Sequence, residues 1–202
     1  GLVDVFLGAV GGDRLYRNTG QGFEDVTEAA GVAGDAAAWT SSPAFLDVDG
    51  DSDLDLFVPR YVKWSAEKDE ALNFTLNGTD RAYGPPKQYE GTVSALWLNE
   101  GDGTFTDASE RAGLHVLNPA TGAPVGKSLA VAPADLDRDG DIDLLVANDT
   151  TRNFYFRNRG NGTFEEAGVD LGVAYDQQGT ATGAMGIDVG HYRNNDTVGI
   201  GI

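Results

Sequence analysis

Asp135-Leu-Asp-Arg-Asp-Gly-Asp-Ile-Asp143 is the most informative segment of this chain, and a second copy, Asp47-Val-Asp-Gly-Asp-Ser-Asp-Leu-Asp55, precedes it. In both copies carboxylates stand at positions 1, 3, 5 and 9, and an apolar segment follows at once. A tight loop with this spacing can surround one hard cation with six to eight oxygens at about 2.3–2.6 Å. Without a cation, like charges so close together would repel one another and raise their own pKa values. The two loops therefore predict two calcium sites, each at the start of a β-strand.

The predicted ligands are the side chains at positions 1, 3, 5 and 9 of each loop, together with the backbone carbonyl at position 7. We expect about two Ca²⁺ ions in all. The residues of the two predicted sites are Asp47, Asp49, Asp51, Asp53, Asp55, Asp135, Asp137, Asp139, Asp141 and Asp143.

A helical calcium motif of the EF-hand type is the main alternative for these loops. That motif needs a bidentate Glu at position 12, followed by a helix. Position 12 is Val58 in one loop and Val146 in the other, and both valines lie in strand-like runs. The sequence therefore argues against the helical motif.

The composition excludes several classes of partner. The chain has 202 residues, of which 41% are hydrophobic, so it is long enough to bury a core as a single domain spanning residues 1–202. Its 32 acidic and 14 basic residues give a formal charge of -18, which disfavours binding to nucleic acid or to anionic lipid. No apolar run reaches the roughly 18 residues of a membrane span, so membrane insertion is not expected.

Cysteine is absent, which excludes disulfides, thiol catalysis and thiolate zinc sites. Weak calcium sites of this type are filled where calcium is millimolar, which is the condition outside the cell. We therefore expect an extracellular or secreted protein, with the periplasm or the cell surface as related possibilities.

A second motif alternates with the acidic loops and predicts β-hairpins. An apolar strand ends at Asn, a glycine-containing turn follows, and Phe opens the return strand. The clearest pair starts at Leu96 and Phe154, and a related copy starts at Leu15. Asn99 and Asn158, at matching places in the pair, are 59 residues apart, which is a spacing typical of repeated supersecondary units.

Each repeat is predicted to hold four short antiparallel strands, with the acidic loop between the first two. Units of this size arranged radially form a β-propeller, so the predicted fold class is an all-β propeller of four-stranded antiparallel blades. The interval from Asp47 to Asp135 is 88 residues, about 32 more than from Asp135 to His191. The extra residues predict an inserted loop at about residues 61–93, and insertions of this kind often carry binding residues.

The insertion combines aromatic and charged residues. Its charged side chains are predicted to form a solvated face, and its aromatic side chains are predicted either to pack locally or to form a platform for a glycan or a protein. The charged residues are Lys63, Glu67, Lys68 and Asp69, and the aromatic ones are Tyr61, Trp64, Phe74, Tyr83 and Tyr89.

The acidic loop at residues 135–143 resembles the Asp-x-Asp-x-Asp-Gly-x-x-Asp loops of the FG-GAP or VCBS repeats that form integrin α-subunit propellers. Three segments look more narrowly like the secreted cartilage acidic protein and ASPIC/UnbV group, namely Leu15-Tyr-Arg-Asn, the hairpin segment from Asn99, and Tyr83-Gly-Pro-Pro. This resemblance implies a seven-bladed calcium-binding propeller that serves adhesion or ligand binding. Seven such blades would take about 400 residues, so this chain would supply about half of a ring.

Three features depart from that family pattern. Ser52 stands where the first loop should have Gly, and the third loop position, from His191, has lost its acids. We expect this third position to be metal-free, with the charge of Arg193 in place of the cation. A cysteine often found beside Gly-Pro-Pro is also absent.

The function expected from the sequence is non-catalytic binding or adhesion with structural calcium. The sequence has two histidines, His115 and His191, and shows no nucleophile elbow, metalloprotease His pair or phosphate loop. The expected partners are a protein or glycan ligand, or further copies or another chain that complete the propeller. Two alternatives stay open, namely a self-assembling structural protein and a polysaccharide-acting propeller enzyme with paired carboxylates.

Overall fold

The computed structural model describes residues 1–193 and 197–202, and within them short strands dominate. In chain order the strands are β1 (Val5–Leu7), β2 (Arg14–Asn18), β3 (Phe23–Asp25), β4 (Ala44–Leu46), β5 (Asp55–Val58), β6 (Thr75–Leu76), β7 (Asp80–Arg81), β8 (Ala95–Asn99), β9 (Phe105–Asp107), β10 (Ser128–Ala134), β11 (Asp143–Asn148), β12 (Phe154–Asn158), β13 (Phe164–Glu166), β14 (Asp188–Gly190) and β15 (Gly199–Gly201). The helices are α1 (Thr27–Ala30), α2 (Ala66–Leu72) and α3 (Gly168–Leu171), and Pro86–Gln88 forms a single 3₁₀ turn.

The strands form four main antiparallel sheets, which follow one another along the chain. The second sheet has the order β4-β5-β8-β9, and the third has the order β10-β11-β12-β13. The first sheet has three strands, β1-β2-β3, and the fourth has two described strands, β14-β15. The predicted class, an all-β fold of antiparallel propeller-type blades, is confirmed, and the second and third sheets have the predicted four strands.

Both faces of the second and third sheets are buried, because alternate residues of a strand point to opposite faces. On β5, Leu56 belongs to the core shared with the first sheet, whereas Phe57 belongs to the core shared with the third. On β11, Leu144 belongs to the core shared with the second sheet, and Leu145 belongs to the core shared with the fourth. The four sheets therefore pack face to face in chain order, which is how neighbouring propeller blades are arranged.

The acidic loops join the first two strands of the second and third sheets, where the sequence predicts them. The glycine-containing hairpins join the last two strands of these sheets and of the first sheet. After each last strand the chain makes one helical turn that a left-handed glycine ends, as at Gly31 after α1 and Gly172 after α3. No helix of the described residues is long and apolar enough to cross a membrane.

The segment between β5 and β8 contains secondary structure that the sequence pattern did not predict. Helix α2 begins at the N-cap Ser65, whose hydroxyl accepts a hydrogen bond from the Lys68 backbone N–H, and it ends at Asn73 in a left-handed conformation. Strands β6 and β7 form a small hairpin after it. The expectation of a uniformly solvated charged face is wrong for Asp69, which is 7% exposed and forms a 2.7 Å ion pair with Arg81.

Candidate metal centre

The two acidic loops share one backbone conformation. Positions 4 and 6 have positive φ in both, at Gly50 (81°) and Ser52 (76°) in the first loop and at Arg138 (66°) and Gly140 (99°) in the second. Each loop thus has one glycine and one larger residue in the left-handed region. The glycine is at position 4 in the first loop and at position 6 in the second. Ser52 keeps the conformation that a glycine adopts most readily, so the predicted departure at this position leaves the loop shape intact.

Each loop brings three carboxylates together. In both clusters, oxygen atoms from the three side chains lie within 4.8 Å of one another, which is the separation expected of ligands that share one ion. The clusters are formed by Asp47, Asp49 and Asp55 in the first loop and by Asp135, Asp137 and Asp143 in the second. These are positions 1, 3 and 9 of the predicted motif.

One carboxylate oxygen of the first cluster has the surroundings of a metal ligand. Asp49 Oδ1 is buried, and no hydrogen-bond donor of the described residues reaches it. Burial, followed by repulsion from Asp51 and Asp47, raises the pKa of Asp49. A buried acceptor without a donor is costly, and a cation would satisfy it. The donor set therefore fits a hard cation.

The ninth residue of each loop is anchored by the protein. Asp55 accepts hydrogen bonds from the backbone N–H groups of Val48 at 2.9 Å and Asn99 at 2.9 Å. Burial is the main reason why the pKa of Asp55 is raised. These bonds fix the carboxylate between its own loop and the neighbouring hairpin, and each oxygen retains a lone pair for a cation.

Asp143 is anchored in the same way and has one partner more. It accepts hydrogen bonds from Leu136 N at 3.1 Å, Asn158 N at 2.8 Å and the Tyr155 hydroxyl at 2.9 Å. Burial, together with its hydrogen bond to the Asp143 carboxylate, raises the pKa of Tyr155, whereas a hydrogen bond with Arg157 opposes this. The hydroxyl therefore remains a donor to Asp143.

The other predicted ligands lie outside the three-carboxylate clusters of the described residues. Asp51 and Asp139 each accept a hydrogen bond from the backbone N–H two residues later, at 2.9 and 3.0 Å. The side chains of Asp53 and Asp141 lie against Gly101 and Gly160, at the turns of the neighbouring hairpins.

Both of these hairpin glycines have positive φ, and a Cβ at either position would meet the aspartate side chain. This contact explains why glycine suits those turns. The predicted metal ligation by the backbone carbonyls of Asp53 and Asp141 stays a prediction.

The second cluster has a basic neighbour that the sequence analysis missed. Arg157 Nε lies 3.4 Å from Asp137 Oδ2. The matching position of the preceding hairpin is Leu98, one residue before Asn99. An alignment of the two hairpins could have revealed this difference, because Leu98 and Arg157 both stand directly before the asparagine at which the hairpin strand ends. The two loops therefore differ in charge although their backbones agree.

The third loop position is described only in part. Arg193 lies over the ring of Tyr192, with its guanidinium carbon 4.9 Å from the ring centroid. Asn194, Asn195 and Asp196 lie outside the described residues. The expectation that Arg193 replaces a cation stays a prediction.

Comparison with protein families gives a match to a model described as an FG-GAP-like repeat. It matches the chain three times, at residues 1–58, 88–146 and 135–197. The first two matches include the acidic loops at their C-terminal ends, and the residues between them coincide with most of the predicted insertion. None of the curated proteins compared with the chain matches its sequence.

Proposed function

The chain belongs to the FG-GAP-like repeat family, and from that premise we propose that it is a calcium-binding, non-catalytic binding module that acts outside the cell. The observation that carries this proposal is the pair of matching carboxylate clusters, one of which contains the unpartnered Asp49 Oδ1. The narrower resemblance to the cartilage acidic protein and ASPIC/UnbV group stays a prediction.

Calcium is the ion that the donor set favours. The clusters offer carboxylate oxygens and no nitrogen or sulfur, which is the preference of a hard cation. Calcium accepts six to eight oxygens in irregular geometry, whereas magnesium requires a near-ideal octahedron and retains more of its water. A nine-residue loop with several aspartates suits the larger ion.

We assign calcium a structural role. The ninth aspartate of each loop already bridges to a hairpin of the same sheet, as Asp55 does to Asn99. An ion on that carboxylate would hold the loop closed and offset the repulsion among the other aspartates. Metal binding free energy would then contribute to the free energy of folding.

The non-catalytic part of the proposal rests on the use of the polar groups. The aspartates at position 9 are held by backbone N–H groups, and those at position 1 close the loop turns through hydrogen bonds such as Gly50 N to Asp47 Oδ1 at 2.8 Å. His115 and His191 are exposed and far apart in sequence. The alternative of a glycosidase would need two results: hydrolysis of a glycan in a substrate panel, and loss of that hydrolysis when a cleft carboxylate is neutralised while calcium stays bound.

Calcium titration of the metal-stripped chain by calorimetry, with thermal melting of the same samples, tests the proposal. We expect about two sites and a higher melting temperature with calcium. Asp49→Asn and Asp137→Asn should each remove one site, because the substitution keeps the size of the side chain and removes its charge. Asp170→Asn, at an exposed residue of α3, is the matched control and should keep both sites. Unchanged melting with calcium would disprove the structural role.

Association with further copies or another chain is a second candidate function. The outer sheets expose apolar side chains, among them Val3 (78%) beside the first sheet and Met185 (73%) before the fourth. Exposed apolar surface of this kind favours association. Light scattering with and without calcium tests this candidate, and a monomer at all concentrations would contradict it.

A further inference from the structure

A cavity of about 350 Å³ lies between the insertion and the chain that leads into the second sheet. Five of its ten lining residues are aromatic, and the other five are Val10, Val62, Gly84, Pro86 and Asp69. The Asp69 carboxylate is already engaged by Tyr89 and Arg81. We call it the aromatic pocket, and its aromatic residues are Trp39, Tyr61, Trp64, Tyr83 and Tyr89. It lies outside the acidic loops, and a cavity of this size suits a small organic group.

The rings of the aromatic pocket are held in fixed orientations. Trp39 is perpendicular to Tyr61, with centroids 5.5 Å apart, and nearly perpendicular to Trp64, with centroids 6.1 Å apart. The Tyr61 hydroxyl donates to Asp149 Oδ2 at 2.6 Å, so the second ring is anchored at its polar end. The walls are therefore formed before a ligand arrives, which lowers the entropic cost of binding.

A buried polar group fixes the opposite wall. The Tyr89 hydroxyl donates to Asp69 Oδ1 at 2.6 Å, and the second oxygen of Asp69 pairs with Arg81 at 2.7 Å. This arrangement ties helix α2, strand β7 and the 3₁₀ turn together. By contrast Tyr83 is 89% exposed, so one aromatic ring at the rim is free to contact a ligand.

The charge around the aromatic pocket differs from that of the rest of the chain. Residues 61–93 contain five acidic and four basic residues, whereas the remaining residues contain 27 acidic and ten basic ones. Nearly all of the net charge of -18 thus lies elsewhere. The chain has four lysines, three of them inside this segment, and the fourth, Lys127, donates to the carbonyl of the lining residue Pro86 at 2.6 Å.

Within the described residues, these lysines form no ion pair with a carboxylate. All five ion pairs of the described residues use arginine. The Lys68 ammonium lies 5.7 Å from the centroid of the Tyr89 ring, at the wall of the aromatic pocket. Lys127 is 7% exposed. Burial lowers its pKa, and repulsion from Lys68 and Lys87 adds to that effect, whereas Asp149 opposes it.

We propose that the aromatic pocket binds an acidic sugar, with the sugar ring against the aromatic faces and its carboxylate towards Lys68. The negative face of an aromatic ring attracts the weakly positive C–H groups of a sugar. A carboxylate gains from the Lys68 ammonium, which has no ion-pair partner among the described residues. This inference rests on the proposed function as a binding module and names its ligand class, a uronic acid residue of a glycan.

Other ligand classes fit these observations less well. A quaternary ammonium group also favours aromatic walls, but here the one carboxylate of the wall, Asp69, is already paired with Arg81, and the group would meet the repulsion of Lys68 at Tyr89. A neutral sugar would use the aromatic faces and leave the lysines without a role. The Lys68 ammonium beside Tyr89 therefore favours an anionic sugar.

Calorimetry on the calcium-saturated chain, with trigalacturonate and its neutral counterpart galactotriose, tests the inference. The two sugars differ in the carboxylate at C6, so the comparison isolates the charge. We expect trigalacturonate to bind at least tenfold more tightly than galactotriose, and this difference should shrink as salt rises. Equal affinity for the two sugars, or binding of tetramethylammonium in place of trigalacturonate, would overturn the assignment.

Two variants test whether the sugar binds in the aromatic pocket. Trp64→Ala should weaken trigalacturonate binding at least tenfold, and Lys68→Gln should bring its affinity close to that of galactotriose. Matched controls are Phe23→Ala, at an exposed ring of the first sheet, and Arg111→Gln, at an exposed cation after the second sheet. Both controls should bind as the parent chain does, and unchanged binding in both pocket variants would refute the site.

The design separates this inference from the proposed function. Calcium binding and melting of the Trp64→Ala and Lys68→Gln variants report whether each variant is folded and loaded with metal. If calcium binds and stabilises the chain while trigalacturonate does not bind, the sugar inference alone is wrong. Retained trigalacturonate affinity in Asp137→Asn would show that the sugar does not use the calcium loop.

Discussion

At the scale of single residues, the left-handed positions of the acidic loops set how well each loop closes. Gly140 has a φ of 99°, which an L-residue rarely adopts, whereas Ser52 already carries that strain with a φ of 76°. Gly140→Ala should therefore lower the free energy of unfolding by about 1–2 kcal/mol, and Ser52→Gly should leave it equal or raise it slightly. Urea unfolding of both variants in calcium checks this. Equal effects of the two substitutions would contradict the strain argument.

The charge of Arg157 should make the second loop the weaker calcium site. Its guanidinium pairs with Asp137. Burial and repulsion from the neighbouring Asp143 and Asp139 raise the pKa of Asp137. Arg157→Leu, which introduces the residue type of Leu98, should raise calcium affinity at the second loop about three- to tenfold because a competing cation is removed. Calorimetry measures the change. Arg159→Leu is the control, since Arg159 pairs with Glu165.

The loop residues were largely predictable, and the reason is local. The spacing of aspartates within nine residues determines which carboxylates meet, so the sequence pattern includes the clustered residues Asp47, Asp49 and Asp55 among its predicted ligands. One of the two hydrogen bonds that orient Asp55 comes from Asn99, 44 positions later, and no local pattern reveals a partner at such a distance. Sequence thus predicts the members of a cluster more readily than their anchors.

At the scale of elements, the hydrogen-bonded Tyr89 in the wall of the aromatic pocket should make the folded chain less stable at alkaline pH. Burial and the hydrogen bond to Asp69 raise the pKa of Tyr89 from 10.0 to about 12. Since the folded state then holds a proton that the unfolded state releases, this stability is complete below about pH 10 and is lost as pH rises towards 12. Tyr89→Phe should flatten the fall in melting temperature over that range. Tyr83→Phe, at an exposed ring, should leave it unchanged.

The secondary structure of the insertion is not predicted by the sequence pattern. Helix α2 has an N-cap at Ser65 and a left-handed end at Asn73, and both signals are visible in the sequence. Its seven residues are too few for hydrophobic periodicity to stand out, so the segment was interpreted as a loop. The burial of Asp69 depends on Arg81 and Tyr89, which the chain brings back by a hairpin. Tertiary contacts of this kind override local polarity.

At the scale of the whole molecule, the repeat predicts the order of the sheets because each sheet buries its faces against its neighbours. Leu56 and Phe57 belong to different cores, so one strand links the first, second and third sheets. A unit that packs on both sides is stable only within the row. The period along the chain therefore predicts the architecture, while the number of strands in each sheet depends on the pairing itself.

Asn158 connects the two acidic loops across the second and third sheets. Its side-chain amide donates to Val48 O in the first loop at 2.9 Å and to Ile142 O in the second at 3.0 Å, and the residue is 2% exposed. Asn158→Ala leaves both carbonyls without this donor, so we expect a loss of about 2–4 kcal/mol in the free energy of unfolding.

The same substitution should weaken calcium binding at both loops, because each loses a bond that holds its backbone. Asn99→Ala is the matched comparison, since the Asn99 amide donates to Leu54 O of the first loop at 3.1 Å. That variant should weaken the first site and spare the second. Calcium titration and urea unfolding of the two variants separate the outcomes. An Asn158→Ala chain that loses affinity at one loop alone would show that the loops bind calcium independently, and that the sheets transmit no coupling between them.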